Sequence, residues 1–122
     1  MRRKSSNSVK IFYPRFSLKE ALRKLRRRIL RLAGETPLRL VVLFGSYAAR
    51  RYTAASDLDL LVVVDCSQAE KDQVYLKIHR QLKLPNLQLH LYTQAEYLKM
   101  KREGSAFLRA AEGGIKIWEF QG

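Results

Sequence analysis

The sequence predicts an α+β protein. Three observations carry this prediction: an amphipathic helical pattern over residues 18–33, three aliphatic stretches of strand length, and helical patterns between and after those stretches. A chain of 122 residues is long enough for one core and too short for a second domain of useful size. We therefore expect a single domain over residues 11–122, preceded by a disordered basic arm over residues 1–10.

The first element is a helix with one apolar and one basic face. Ser17 is a candidate N-cap, Glu20 three residues later completes a capping box, and Gly34 is a natural stop. Leucine and isoleucine recur at helical spacing along one face, whereas arginine occupies the other face, at Arg23, Arg26, Arg27 and Arg31. The pattern predicts a helix that packs on the core and presents positive charge outward.

Three aliphatic segments bounded by turn residues predict strands, at residues 38–44, 57–64 and 87–92. Residues 67–83, between the second and third, carry a helical stripe that must end before Pro85. After the third strand, Thr93 can cap a helical segment that Gly104 bends or breaks. The apolar alternation at residues 115–120 predicts a closing edge strand.

The positive charge is concentrated at the front of the chain. The whole sequence has a formal net charge of +13, and residues 1–31 hold twelve Lys or Arg and one acid, a net +11. The remaining residues hold twelve basic and ten acidic side chains, a net +2. A basic N-terminal region of this kind can bind nucleic acid or an acidic partner protein. A solvated helix face that binds nothing is an equally good interpretation.

Cysteine content and hydropathy predict the cellular compartment of the protein. The single cysteine, Cys66, excludes an internal disulfide and is typical of a reducing compartment; a small, half-buried structural role is its simplest interpretation. No stretch approaches the roughly 18 consecutive apolar residues of a membrane span. The basic N-terminus is not followed by the apolar segment of a secretory signal. We expect a cytoplasmic protein with no membrane partner.

Two aspartates in an apolar strand are the strongest chemical signal. Successive strand side chains point to opposite faces, so Asp57 and Asp59 share one face while Leu58 and Leu60 enter the other. Two carboxylates held this close repel each other unless a cation lies between them. Mg²⁺ is commonly held by one or two carboxylates together with water and substrate phosphate. Two surface acids on an exposed edge strand are the alternative.

Gly45 and Ser46 supply the other half of a phosphate site. A glycine directly after a strand lets a ligand approach the backbone. We expect Ser46 to begin a short helix, offering its hydroxyl and backbone N–H groups to an anion. A strand followed by Gly-Ser is a weak signal alone, and it becomes stronger when an Asp-x-Asp strand follows after the ten residues 47–56.

The segment GSYAARRYTAASDLDLLV, residues 45–62, resembles the Gly-Ser-(ten residues)-Asp-x-Asp signature of the nucleotidyltransferase superfamily that includes DNA polymerase β. The shortness of the chain and its ending, FLRAAEGGIKIWE, are similar to the MNT-domain proteins, or minimal nucleotidyltransferases. The likeness covers most of residues 18–120. It implies a polymerase β-like nucleotidyltransferase fold, a mixed β-sheet flanked by helices.

The resemblance also implies a site and a reaction. ATP, or another nucleoside triphosphate, would place its phosphates against Gly45 and Ser46, and Asp57 and Asp59 would hold Mg²⁺ as catalytic residues. Ser56 belongs to the same nucleotide-binding block. The reaction would transfer a nucleoside monophosphate, AMP from ATP, to a macromolecular acceptor. MNT proteins are commonly encoded beside HEPN-domain ribonucleases, whose toxicity they silence by transferring AMP or by binding.

Two departures from the family pattern bear on activity. The family commonly has Gly-Ser-Tyr-Ala-Arg-Gly, whereas Ala49 stands here at the arginine and Arg50 at the glycine. A slide of one position would let Arg50 or Arg51 reach the phosphates; exposure of both to solvent is the alternative. Family enzymes also use a third carboxylate on the next strand, and the apolar pattern aligns Gln88 with it. His90, on the same face, is a candidate metal ligand or a structural histidine.

Two functions from different classes follow from these residues. One is an enzyme that adenylylates a HEPN-type toxin, and the other is a catalytically weakened relative that neutralises its partner by binding alone. A nucleic-acid binder led by the basic N-terminal helix is a third candidate. It is disfavoured because aromatic side chains do not alternate with the arginines as a stacking platform requires.

Overall fold

A computed structural model of the protein describes residues 18–49 and 56–122. The described residues form four helices and four strands, and a short 3-10 turn at Gln68–Glu70 precedes the second helix. Their bounds are α1 Leu18–Ala33, β1 Leu38–Phe44, β2 Leu58–Val64, α2 Lys71–Leu82, β3 Leu87–Thr93, α3 Gln94–Arg102, α4 Ala106–Glu112 and β4 Ile115–Glu119. Within this part of the chain, no helix is long and apolar enough to cross a membrane.

The four strands form one mixed sheet in the order β3-β2-β1-β4. β2 pairs with β1 in antiparallel fashion and with β3 in parallel fashion, and β1 also pairs antiparallel with β4. The predicted α+β class, with a mixed sheet flanked by helices, is confirmed. Because β2 has a neighbour on both sides, the alternative of acids on an exposed edge strand is wrong.

The sheet packs helices on both faces. On one face, alternate residues of β2 and β3 lie under α1 and α2 in a large aliphatic cluster that includes Leu60, Val62, Ile29 and Ile78, all fully buried. On the other face, the intervening residues Leu61 and Val63 pack with Leu108 and Ala111 of α4 and with half-buried aromatics. The period of two along each strand therefore divides the core into two layers.

Local sequence signals fix most of the element ends. α1 ends at Ala33, before the turn at Gly34. Thr93 closes β3 and caps α3, since its side chain accepts a hydrogen bond from the Glu96 N–H while the Glu96 carboxylate accepts one from the Thr93 N–H. Gly104, with φ of +67°, separates α3 from α4. The proposed cap Ser17 and the arm at 1–10 lie outside the described residues.

The segment after β1 differs from the prediction. Residues 45–49 form a turn in which the Ala49 N–H donates to the Gly45 carbonyl at 3.0 Å, instead of a helix that begins at Ser46. Gly45 has φ of +79°, a left-handed backbone conformation that reverses the chain at the end of the strand. The hydrogen bond from Ala49 to Gly45 spans four residues, as in an α-helix, but residues 45–49 remain a turn.

Candidate functional site

The turn at Gly45 packs directly against the carboxylate of Asp59. Phe44, the last residue of β1, is the antiparallel partner of Asp59 on β2. A Cβ atom added at Gly45 would lie 2.5 Å from Asp59 Oδ2, a distance that real Cβ atoms essentially never show. The position therefore needs glycine for its positive φ and also for the close approach of the carboxylate.

The other predicted site residues lie around this contact or outside the described chain. Ser46 is half-buried in the turn, and Ser56 is half-buried just before β2. Asp57 is exposed one residue before the first residue of β2, whereas Asp59 lies within the strand. Arg50 falls in the gap at residues 50–55, so its predicted role stays a prediction.

Gln88 occupies the position opposite Asp59 on the parallel neighbour. The pairing of β2 with β3 aligns Asp59 with Gln88 and Leu61 with His90. Gln88 is exposed, and it shares its face of β3 with His90 because the two residues are one strand period apart. The structure therefore places a neutral amide at the strand position beside Asp59, the half-buried member of the Asp-x-Asp pair.

His90 contacts Asp59 directly. Its Nε2 atom lies 3.2 Å from Asp59 Oδ1, and the two side chains retain 31% and 25% of their exposure. The imidazole ring also packs at 5.1 Å from the ring of Phe44 and at 5.5 Å from the ring of Phe107. These aromatic neighbours hold the imidazole beside the carboxylate while leaving both groups open to solvent.

Sequence reasoning named His90 but not the aromatic residues that hold it. Phe44 could have been found from its position directly before Gly45, because strand pairing places that position opposite the second aspartate. Phe107 gave no comparable signal. It reaches the site from α4, and its contacts with Phe44, His90 and Tyr92 depend on how the helix packs on the sheet.

The donor chemistry of Asp57 and Asp59 fits a hard divalent cation. Both supply carboxylate oxygens, and β2 holds the second of them half-buried against the backbone of Gly45. Within residues 18–49 and 56–122, no group of three His, Cys, Asp or Glu side chains is arranged to hold a metal ion. An ion bound here would therefore take its remaining ligands from water and substrate phosphate, which is the usual arrangement for Mg²⁺.

The far end of β2 carries an aspartate in a different setting. Asp65 Oδ2 accepts a hydrogen bond from Arg39 Nη2 at 2.9 Å, and the Arg39 guanidinium lies over the ring of Phe120. A permanently charged partner already neutralises this carboxylate. Asp65 is therefore a structural ion-pair residue.

The single cysteine follows Asp65. Cys66 is a half-buried free thiol that packs beside the aliphatic cluster. Burial raises the pKa of the Cys66 thiol, and the nearby carboxylates of Glu70 and Asp65 raise it further. The thiol is therefore a poor nucleophile, which agrees with the structural role expected from the sequence.

The outer face of α1 is basic with an apolar centre. Six exposed cationic side chains lie on this helix, at Lys19, Arg23, Lys24, Arg26, Arg27 and Arg31. Leu30 is 63% exposed, and helical spacing places it one turn after Arg26 and Arg27. Arg28 points elsewhere, since it donates a hydrogen bond to the Leu82 carbonyl at 2.7 Å. We call this surface the basic face of α1.

Comparison with protein families identifies the class. The model of the nucleotidyltransferase domain family matches residues 22–111, which is more than half of the chain. The chain therefore belongs to this family. The matched range contains both Gly45 and the Asp57–Asp59 pair, so the resemblance of the Gly-Ser and Asp-x-Asp segments to nucleotidyltransferases is confirmed at the level of the family. No curated protein sequence matches the chain.

The fold resembles that of one solved structure, and two further solved structures are weaker matches. A proposed nucleotidyltransferase from Sulfolobus solfataricus is 17% identical, with a TM-score of 0.59 over 84% of this chain and 83% of that one. A chain of a toxin–antitoxin complex with AMP-PNP is 22% identical, with a TM-score of 0.49 over 79% and 74%. A chain of the complex of a tri-AMPylated HEPN toxin with an MNT antitoxin from Shewanella oneidensis is 19% identical, with a TM-score of 0.38 over 85% and 71%.

Proposed function

We propose that this protein is a minimal nucleotidyltransferase that binds Mg-ATP and transfers AMP to a partner protein, as the antitoxin of a HEPN-type toxin. The observation that carries the proposal is the contact between the Gly45 turn and the Asp59 carboxylate. It joins a backbone suited to phosphate with a carboxylate suited to a cation. The assignment to the MNT group and to a HEPN partner rests on the sequence resemblance.

Each residue has a defined role in the proposed reaction. The turn at Gly45 and Ser46 would bind and orient the triphosphate through its backbone N–H groups and the Ser46 hydroxyl. Asp57 and Asp59 would hold Mg²⁺, which neutralises charge on the phosphates when it is bound. The acceptor hydroxyl would then attack the α-phosphorus, a new P–O bond would form, and pyrophosphate would leave with its electron pair.

The acceptor hydroxyl must also lose a proton, and here Gln88 bears on the rate. An amide cannot usefully accept that proton and contributes no negative charge to a metal site. A general base of this kind contributes roughly 10²–10⁴-fold to a rate. We therefore expect nucleotide binding to survive better than catalysis, with slow transfer unless the acceptor chain or His90 supplies the base.

Isothermal titration calorimetry tests the binding site. The double variant Asp57→Asn with Asp59→Asn should lose most of the affinity for Mg-ATP, because both carboxylates are replaced by neutral amides of the same shape. Asp65→Asn is the matched control, since it removes a carboxylate from the other end of β2. A double variant that binds Mg-ATP as tightly as wild type would show that the site is assigned to the wrong residues.

A transfer assay separates the enzyme from a protein that silences its partner by binding alone. The purified protein is incubated with labelled ATP, Mg²⁺ and the protein encoded beside it, and Gln88→Asp is compared with wild type. We expect slow labelling by wild type and faster labelling by the variant, which restores a carboxylate opposite Asp59. Rapid wild-type labelling that the substitution does not increase would mean that the catalytic base lies elsewhere.

The partner would contact the basic face of α1 through an acidic surface. The six cationic side chains of this face attract an acidic surface, and Leu30 at its centre is 63% exposed and suits an apolar depression on a protein. Nucleic acid would use the same charges, but the exposed leucine gives it no stacking surface. The protein partner is therefore the occupant that the surface favours.

Partner affinity at increasing salt tests this surface. Arg26→Ala with Arg27→Ala should weaken binding and reduce its salt dependence, and Leu30→Ser should weaken it at every salt concentration. Lys99→Ala with Arg102→Ala, which removes the same charge from exposed positions of α3, is the control. Two results would contradict the proposal. One is partner affinity that changes neither with salt concentration nor on substitution of Arg26, and the other is tight binding of a nucleic acid that depends on Arg26 and Arg27.

A further inference from the structure

We propose that His90 and Asp59 together form a mixed nitrogen and oxygen metal site that prefers a first-row transition ion such as Zn²⁺ over Mg²⁺. The inference rests on the proposed function in one respect, since it takes Asp59 as a metal ligand. It adds an imidazole ligand beside Asp59, and it changes the class of ion that the site accepts.

The first support is the separation of the two donor atoms. Nε2 of His90 and Oδ1 of Asp59 lie 3.2 Å apart. Bonds of about 2.1 Å from one metal ion to nitrogen and oxygen place two neighbouring ligands roughly 3.0 Å apart in an octahedron and 3.4 Å apart in a tetrahedron. The observed separation lies between these values, so one ion can bind both atoms with small shifts of the side chains.

The second support is the way in which the imidazole is held. Phe44 and Phe107 contact the ring at centroid distances of 5.1 and 5.5 Å. Nε2 faces the Asp59 carboxylate, which is itself fixed against Gly45. Because both donors are positioned by the fold, little side-chain freedom remains to be lost when a metal binds. Their remaining exposure leaves room for water or a phosphate oxygen to complete the coordination.

The third support is the kind of side chain that β3 places near Asp59. Gln88 lies opposite Asp59 and brings a neutral amide. His90 lies two residues further on the same face and reaches back to Asp59. A site of carboxylates alone suits Mg²⁺, whereas an imidazole ligand suits Zn²⁺ and other ions of its class. An imidazole beside Asp59, with a neutral amide at Gln88, therefore predicts a preference for Zn²⁺ over Mg²⁺.

Metal binding is measured without nucleotide and without turnover, on protein that carries no histidine tag. Calorimetry compares Zn²⁺ with Mg²⁺ for wild type and for His90→Phe, which keeps an aromatic ring between Phe44 and Phe107 but removes the nitrogen. We expect Zn²⁺ to bind more tightly than Mg²⁺ to wild type, and His90→Phe to weaken Zn²⁺ binding about tenfold or more while leaving Mg²⁺ binding little changed. His90→Asp should shift the preference toward Mg²⁺.

The second histidine provides the control. His79 is exposed on α2, and His79→Phe should leave both affinities unchanged. The sequence contains only two histidines, so ¹⁵N resonances of the imidazole rings can be assigned from the two variants. On addition of Zn²⁺ the ring nitrogen of His90 should shift and that of His79 should not.

The outcomes distinguish this inference from the proposed function. Zn²⁺ affinity that depends on Asp59 but not on His90, or an unshifted His90 resonance, would overturn the mixed site and leave His90 as a hydrogen-bond partner. Wild type that binds Zn²⁺ no more tightly than Mg²⁺ would overturn it as well. Failure of the proposed function gives a different result, namely Mg-ATP binding that survives loss of both Asp57 and Asp59.

Discussion

The two faces of the sheet are built from the same strands but differ in what their side chains do. Leu60, Val62 and Val64 point from β2 into a fully buried aliphatic layer under α1 and α2. Asp59, between Leu58 and Leu60, points to the opposite face, where it meets His90 and the turn at Gly45. Because its side chains alternate between the two faces, β2 contributes both to the buried aliphatic layer and to the polar site. The packing of the buried layer fixes the position of the site.

The largest expected effect comes from the buried layer. Leu60→Ala removes a fully buried side chain of the aliphatic cluster, so the free energy of unfolding should fall by about 2–5 kcal/mol. Leu76→Ala is the control, because Leu76 is 55% exposed on α2 and its loss should cost less than about 0.5 kcal/mol. Denaturant unfolding measures both. Similar losses in the two variants would contradict the division between buried support and exposed surface.

The next effect comes from the turn that contacts Asp59. Gly45→Ala should strain the backbone at φ of +79° and displace the Asp59 carboxylate, which an added Cβ atom would approach to 2.5 Å. We expect a stability loss of about 1–3 kcal/mol, together with a large loss of Mg-ATP affinity by calorimetry. Gly34→Ala is the matched control, since a Cβ there would meet the Arg31 carbonyl at an ordinary contact distance of 3.5 Å. Unchanged nucleotide affinity in Gly45→Ala would separate this turn from the site.

A smaller effect comes from the cap of α3. Burial opposes ionisation of Glu96, but hydrogen bonds from the Thr93 N–H and from Lys71 lower the pKa of this carboxyl below its ordinary value. A lowered pKa contributes stability above the ordinary pKa of glutamate, and that stability is lost as the pH falls through the folded-state value. Glu96→Gln should therefore cost roughly 1 kcal/mol at pH 7, and this cost should shrink as the pH falls below the ordinary pKa of glutamate.

Unfolding in denaturant at several pH values measures this difference. Glu103→Gln, which removes an exposed carboxylate at the other end of α3, is the matched control. A cost for Glu96→Gln that stays constant from pH 7 to pH 3 would show that the amide loses something other than charge.

The smallest effect should come from the ion pair at the far end of β2. Asp65 pairs with Arg39 at 2.9 Å, and its side chain is 53% exposed, so Asp65→Asn should change the free energy of unfolding by about 0–1 kcal/mol. Its affinity for Mg-ATP should equal that of wild type. If Asp65→Asn weakens nucleotide binding as much as Asp59→Asn does, the distinction between the structural and the functional end of β2 is wrong.

Much of the fold and part of the site followed from local patterns. The strand at 38–44 and the turn at Gly34 were predicted at the positions observed, because aliphatic runs and helix-stopping glycines act over a few residues. The Gly-Ser and Asp-x-Asp segments were recognisable for the same reason, since their chemistry depends on neighbouring positions. The helix expected to begin at Ser46 was wrong, because Gly45 with its positive φ reverses the chain and residues 45–49 form a turn.

The tertiary structure decided which side chains meet Asp59. The sequence by itself placed Gln88 and His90 on one face of a strand, but it could not rank them as neighbours of a carboxylate about 30 residues away. The parallel register put Gln88 directly opposite Asp59, and the aromatic packing of Phe44 and Phe107 turned His90 toward it. Register and packing are long-range properties, since they depend on how whole elements fit together and not on the propensities of the residues that make contact.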